Sequence, residues 1–319
     1  MFPARVKVPM YSRPWFLFNR HLETIYPALF RRVQLRDFER QRITTPDNDF
    51  LDLDWLKQGA KKIIVISHGL EGNSQRAYIK GMARVFFENG FDVVAWNYRG
   101  CSGEMNKALR FYHSGATDDL ATVTDRVVRG GYESVFLIGF SLGGNLTLKY
   151  AGERELHAKV KGVVAFSVPL DLYTSSLALA RSSNWIYSKR FLKSLKKKIR
   201  AKGAMMEGLN VAALENVKTL RNFDDVYTGP IHGFADALDY YKKSSALGFL
   251  EGIRTPTLIV NAQNDPFLSH ECFPEGITNQ YVQFEAPVHG GHVGFASFNG
   301  KGLYWSELRA LDFVQQILR

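Results

Sequence analysis

The stretch of this 319-residue chain best equipped for covalent chemistry is Gly139-Phe140-Ser141-Leu142-Gly143. Glycines two positions either side of a serine let a strand turn sharply into a helix and lift the hydroxyl to the apex of the turn. The flanking residues have the matching patterns. Val135 to Ile138 is a short apolar run of the kind that forms a buried strand, and Leu146, Leu148, Tyr150 and Ala151 recur at roughly helical spacing. Side chains at Gly139 or Gly143 would collide with the neighbouring strand and helix, and the first N–H groups of that helix favour negative charge developing at the serine. This is the arrangement of a nucleophile elbow.

A serine hydroxyl attacks well only when a base takes its proton and a third group fixes the tautomer of that base. With the partners expected downstream in the order acid then histidine, the apolar run Thr257–Asn261 leads into Asn261-Ala262-Gln263-Asn264-Asp265-Pro266, which offers Asp265 as the acid, its loop stiffened by Pro266. The run Tyr281–Phe284 leads into Pro287-Val288-His289-Gly290-Gly291-His292. Both histidines are plausibly placed. His292 is preferred to His289 as the base because two glycines before it free the loop to bring the ring to Ser141. His68 and His113 read as structural, His68 bonding loop backbone at a strand end. Acyl transfer also needs N–H donors for a tetrahedral oxyanion, worth about 3 kcal/mol each. The backbone of Leu142, after the nucleophile, and of Leu70, after His68-Gly69, are the candidates.

These residues need a frame. Lys62–Ser67 and Phe91–Asn97 read as buried strands, Ala77–Asn89 and Thr117–Arg129 as helices, and Val160–Val168 as the strand after the elbow helix. Gln34–Thr45 and Asp49–Leu56 read as two earlier strands either side of a turn cluster at Pro46. Strands alternating with helices imply an α/β class and a mainly parallel, doubly wound sheet, whose ligands bind beyond the carboxyl ends of the strands. His68, Asn97 and Ser141 fall at such ends. From Asp171 to about Gly252 the pattern turns helical, at Leu172–Ala180, around Lys189, at Val211–Leu220 and at Gly233–Tyr241. The domain reading is therefore an N-terminal arm at 1–32, an α/β core at 33–170, a helical cap at 171–252, and the rest of the core at 253–319, closed by an amphipathic helix over Tyr304–Leu318.

At 45% hydrophobic and 23% charged residues the chain has the composition of a soluble globular protein. No apolar stretch is long enough for a membrane span and no secretory leader is evident, so the expected location is cytoplasmic. Cys101 and Cys272 are too few for a disulfide framework and lack metal-ligand spacing. The net charge of +10 is local, because Lys189–Lys202 carries eight basic residues and no acidic one. No nucleic-acid motif accompanies it. Its two readings are a solvated helix face and a peripheral contact with anionic membrane, with Phe191, Leu192, Leu195 and Ile199 spaced as on an interfacial helix.

Longer motifs carry a family resemblance: Asn19-Arg20-His21-Leu22-Glu23-Thr24, HGLEGNSQRAYIKG from His68, NYRGCSGEMN from Asn97, YHSG from Tyr112, GFSLGGN from Gly139, FDD with TGPIHGFADALDYY from Phe223, and GGHVGF from Gly290. Together these resemble the YheT-like branch of hydrolases and esterases in the α/β-hydrolase-fold superfamily, over nearly the whole chain. The helical cap, as the bound of an apolar site, favours short- to medium-chain or lipid-like small-molecule esters, and the resemblance implies a Ser141–Asp265–His292 triad and ester hydrolysis without a cofactor or metal. It leaves open an acyltransferase using the same triad, or a binding scaffold without catalysis.

Overall fold

The computed structural model describes residues 8–319. Residues 1–7 of the expected N-terminal arm lie outside them. Eight strands form one sheet in the order β1-β2-β4-β3-β5-β6-β7-β8. They are β1 (Glu39–Thr44), β2 (Phe50–Leu56), β3 (Lys62–Ser67), β4 (Asp92–Asn97), β5 (Ser134–Phe140), β6 (Val160–Phe166), β7 (Thr257–Val260) and β8 (Val282–Glu285). β1 and β2 pair antiparallel and β2 joins β4 antiparallel, whereas every pairing from β4 onward is parallel. This is the mainly parallel sheet of the α/β-hydrolase fold.

The runs that read as buried strands are buried on both faces, as parallel strands covered by helices must be. Ile63 and Val65 of β3 point into one apolar cluster and Ile64 and Ile66 into another. The first cluster is closed by helices α3 (Thr117–Arg129) and α4 (Leu142–Glu153). The second is closed by α2 (Ala77–Glu88) and the C-terminal helix Trp305–Leu318.

Several boundaries differ from expectation for identifiable reasons. β1 begins at Glu39 rather than Gln34, because its pairing runs from Glu39 opposite Trp55 and the partner strand ends one residue later. The arm is not irregular throughout. Arg20–Phe30 forms helix α1, started by the Asn19 side chain, which accepts from the His21 and Leu22 N–H groups.

Between β6 and β7 the chain is helical, led by α5 (Leu172–Ala180) and α6 (Trp185–Gly203). The expected helix over Val211–Leu220 is a short turn at Val211–Glu215, and a new one starts at Leu220, capped by Thr219. The helix expected from Gly233 starts at Ala237, where Asp236 caps it. The apolar residues of the basic segment face inward. Ile199, Leu192 and Leu195 of α6 pack with Phe111, Leu214 and Phe223, and Phe191 packs on Phe267. Lys198 and Lys202 are also taken up inside. Lys198 pairs with Glu71, and Lys202 donates to the Asn106 side chain and backbone.

Candidate active site

Ser141 stands between β5 and α4 with φ +54°, a conformation that a residue with a side chain adopts at a cost of roughly 1–3 kcal/mol. The glycines around it make the turn possible. A Cβ at Gly139 would lie 2.3 Å from the Gly143 carbonyl oxygen, and one at Gly143 would lie 2.4 Å from that of His68. The turn thus packs directly against the end of β3.

Three side chains converge here. The Ser141 Oγ lies 2.9 Å from His292 Nε2, and His292 Nδ1 lies 2.8 Å from Asp265 Oδ2. The other Asp265 oxygen accepts the Phe267 N–H, which fixes the carboxylate plane. Asp265 is buried, whereas His292 keeps a small exposed edge and packs its ring on Phe267, with centroids 4.1 Å apart. An imidazole held between a hydroxyl and a buried carboxylate can accept the hydroxyl proton while its charged form is stabilised.

His289 is not in this group. Its Nδ1 lies 3.9 Å from Glu23 and 3.5 Å from the Asn264 amide nitrogen. His68 is fully buried, its Nδ1–H donating to the Gly69 carbonyl while Nε2 accepts the Tyr98 N–H. Burial pushes its imidazole down to about 3, so it stays neutral. His113 is likewise pushed down by burial, and accepts the Gly115 N–H.

The loop after β3 passes over the serine, since a Cβ on Gly69 would sit 3.2 Å from Ser141 Cβ. Two tyrosines hold it. The Gly69 N–H donates to Tyr78 Oη and the Glu71 N–H to Tyr112 Oη. The Leu70 N–H between them has no partner among the described residues. At the first position of α4, the Leu142 N–H is orphaned by helix geometry. Tyr112 Oη in turn donates to Glu71, whose carboxylate also accepts Lys198 and Ser194 of α6. The loop after β3 is tied in this way to the helical layer above it.

The histidine loop has its own scaffold, supplied by α1. Buried Glu23 accepts the Gly290 N–H and the Asn264 amide, Asn264 accepts the Gly291 N–H, and Thr24 Oγ1 accepts the His292 N–H. The two glycines expected to free this loop are pinned instead. Glu23, Thr24, Tyr78 and Tyr112 escape a reading of local pattern and lie only in the motifs of the resemblance that start at Asn19, His68 and Tyr112, while Asn264 stands beside the expected acid with no role assigned to it.

Two cavities meet at Ser141. An inner one, about 140 Å³, lies beneath α5 and α6 and is walled by Leu142, Leu172, Leu195, Ile199, Phe223 and Tyr227 among others. An outer one, about 400 Å³, opens between α1 and the start of α6 and holds His292, with Leu29, Ile186, Tyr187 and Arg190 at its sides. Leu70 and Ser141 line both.

Residues 62–297 match the model of the alpha/beta hydrolase fold family. The candidate esterase YheT of Escherichia coli (strain K12) is 36% identical over 94% of this chain and 91% of its own length. A monoacylglycerol lipase of Saccharomyces cerevisiae is 29% identical over 82% of this chain and 60% of its own. Among solved structures, the Pyrococcus furiosus esterase Pf2001 superposes with a TM-score of 0.60 at 16% identity, covering 91% of this chain and 97% of that one.

Proposed function

The chain belongs to the α/β-hydrolase fold family, in its YheT-like branch, and from that premise we propose that it cleaves carboxylic esters through an acyl-enzyme on Ser141. The observation that carries this reading is the relay from Asp265 through His292 to Ser141, at 2.8 and 2.9 Å, beside two unpaired backbone donors.

The chemistry follows from those positions. His292 Nε2 takes the Ser141 proton as Oγ attacks the ester carbonyl carbon. The carbonyl oxygen becomes an oxyanion and accepts the Leu70 and Leu142 N–H groups, each worth about 3 kcal/mol in such a role. Asp265 accepts Nδ1–H, holding the ring and stabilising its positive charge. Collapse breaks the bond to the alcohol oxygen, which leaves with the proton from His292. Water then loses a proton to the same nitrogen, attacks the acyl carbon and releases the acid and free Ser141.

The two cavities support a division of the substrate between them. Because His292 hands its proton to the leaving alcohol, the alcohol half belongs in the outer cavity, the one that His292 lines. The acyl half then enters the inner cavity. Its volume of about 140 Å³ is close to that of a cavity that takes one benzene, so an acyl chain of about six carbons fills it. Short- to medium-chain esters are the favoured class, and the lipase name of the yeast relative agrees with an ester of the lipid kind.

The test is covalent labelling by a fluorophosphonate with peptide mapping, followed by p-nitrophenyl esters of increasing chain length. We expect the adduct on Ser141, absent in Ser141→Ala and much slowed in His292→Ala, and kcat/KM lowered by at least about 10⁴-fold in either variant. Well-folded protein that takes no label overturns the reading in favour of a binding scaffold. Release of acyl product to added alcohol in preference to water would make it a transferase.

A further inference from the structure

The outer cavity opens onto a surface that is unusually apolar and carries charge of one sign. On one side, Trp15 is 88% exposed, Phe30 63% and Phe298 58%. These belong to one cluster: Phe16 contacts Trp15, Tyr26 and Phe298 at centroid distances of 5.9, 5.7 and 5.2 Å, and Tyr26 contacts Phe30 at 5.1 Å. On the other side, α6 begins with Trp185 and Ile186, both more than half exposed. The two sides touch where His21 meets Tyr187 Oη at 3.1 Å. Leu29 of α1 and Ile186 of α6 are exposed and also line the cavity, so the apolar surface continues inward toward Ser141.

The charges around this collar are basic. Arg20, Arg32, Lys189, Arg190 and Lys193 are all exposed. Residues 8–32 contain a single acidic side chain, Glu23, which is buried, and residues 185–203 contain none. Contiguous exposed aromatic surface rimmed by one sign of charge marks an interaction site. Tryptophan beside lysine and arginine is the composition that lies at the boundary of anionic lipid headgroups and acyl chains.

We propose that this collar seats the protein on an anionic lipid bilayer, with the mouth of the outer cavity turned to the lipid. The contact is made by the aromatic cluster that Trp15, Phe16 and Phe298 form beside α1, and by the first turn of α6, flanked by basic side chains. It is not made by Phe191, Leu192, Leu195 and Ile199, which are used inside the cap. Docking does not depend on the ester chemistry, so the Ser141→Ala protein is the form to test.

The experiment is co-sedimentation of full-length Ser141→Ala protein with vesicles of phosphatidylcholine alone or mixed with phosphatidylglycerol. We expect binding only to the mixed vesicles, weakened strongly between about 0.05 and about 0.5 M salt as screening sets in. Adding Lys189→Gln and Lys193→Gln should weaken it roughly fivefold for each charge removed. Trp15→Ser with Trp185→Ser should weaken it by roughly tenfold, while the same substitutions in the Ser141 protein leave hydrolysis of a soluble short-chain ester unchanged. Equal binding to both kinds of vesicle, or binding unaltered by these substitutions, overturns the proposal. So does single-stranded RNA bound more tightly than the mixed vesicles and lost on the same substitutions. A protein that docks but takes no fluorophosphonate at Ser141 keeps this inference and loses the ester reading.

Discussion

Thr24 Oγ1 accepts the backbone N–H of His292 at 2.9 Å, joining α1 to a loop 268 positions later in the chain. With Glu23 alongside, it makes the first helix part of the seat of the candidate base. Thr24→Val keeps the shape of the side chain but leaves the buried His292 N–H without an acceptor, a loss of about 1–3 kcal/mol. We expect kcat to fall by roughly tenfold with KM little changed, because the substrate cavities keep their walls. Steady-state kinetics on a soluble ester would decide it. An unaltered kcat in folded protein means that α1 does not position His292.

Tyr78 and Tyr112 flank the Leu70 N–H by binding the amides on either side of it. Tyr78→Phe and Tyr112→Phe each release one amide and loosen the loop without removing the donor itself. Each should lower kcat by about 10-fold to 100-fold, less than the full loss of an oxyanion donor. The Tyr112 change should also reach the Glu71–Lys198 contact, so its effect and that of Lys198→Met should be less than additive in a double-mutant cycle. Simple additivity would separate α6 from the loop after β3.

Arg99, after β4, is buried with Asp49 and Asp119 and also pairs with the more exposed Asp47. Burial pushes the Asp47 carboxyl up, but hydrogen bonds from Arg99 and Thr45 outweigh it and hold it at about 2. Arg99→Met would leave two buried carboxylates unpaired, which destabilises by about 3–5 kcal/mol. Denaturant unfolding should report that loss. A change under about 1 kcal/mol would mean that water or a neighbouring cation replaces the guanidinium.

His68 and His113 give the stability a direction in pH. Burial lowers both imidazoles, His68 to about 3 from an ordinary 6.5, so the unfolded chain takes up protons that the folded one refuses. The sign follows: their contribution is intact above pH 6.5 and is lost as pH falls below it, at about 1.4 kcal/mol per pH unit for each ring. His68→Asn should be less stable near neutrality, yet show a shallower loss between about pH 6.5 and about pH 5. Parallel pH curves for the two proteins would contradict this account.

The parallel sheet was legible because buried strands such as Lys62–Ser67 announce themselves as continuous apolar runs. The place of Ser141 at a strand–helix turn was legible because its signal is local and steric. Asp265 and His292 could be located on loops by following the strands before them. What surrounds them was not legible, since Glu23, Thr24 and Asn264 act through hydrogen bonds to residues far away in sequence, and no periodicity records such pairs. The basic helix misled for a related reason: three- and four-residue spacing of Phe191, Leu192, Leu195 and Ile199 marks an apolar face but not what it covers. In the fold it covers the cap interior and Phe267.

The bond from Thr24 to His292 also orders events in time. During synthesis β5 and α4 are made with their serine well before the loop of His292, and α1 well before Asn264 and Gly290, which Glu23 bonds in the fold. A growing chain therefore carries Ser141 before His292, and the proposed ester chemistry waits for the loop that brings the candidate base. On the proposed reading, reactivity arrives only once α1 has closed on a loop 268 positions further along the chain.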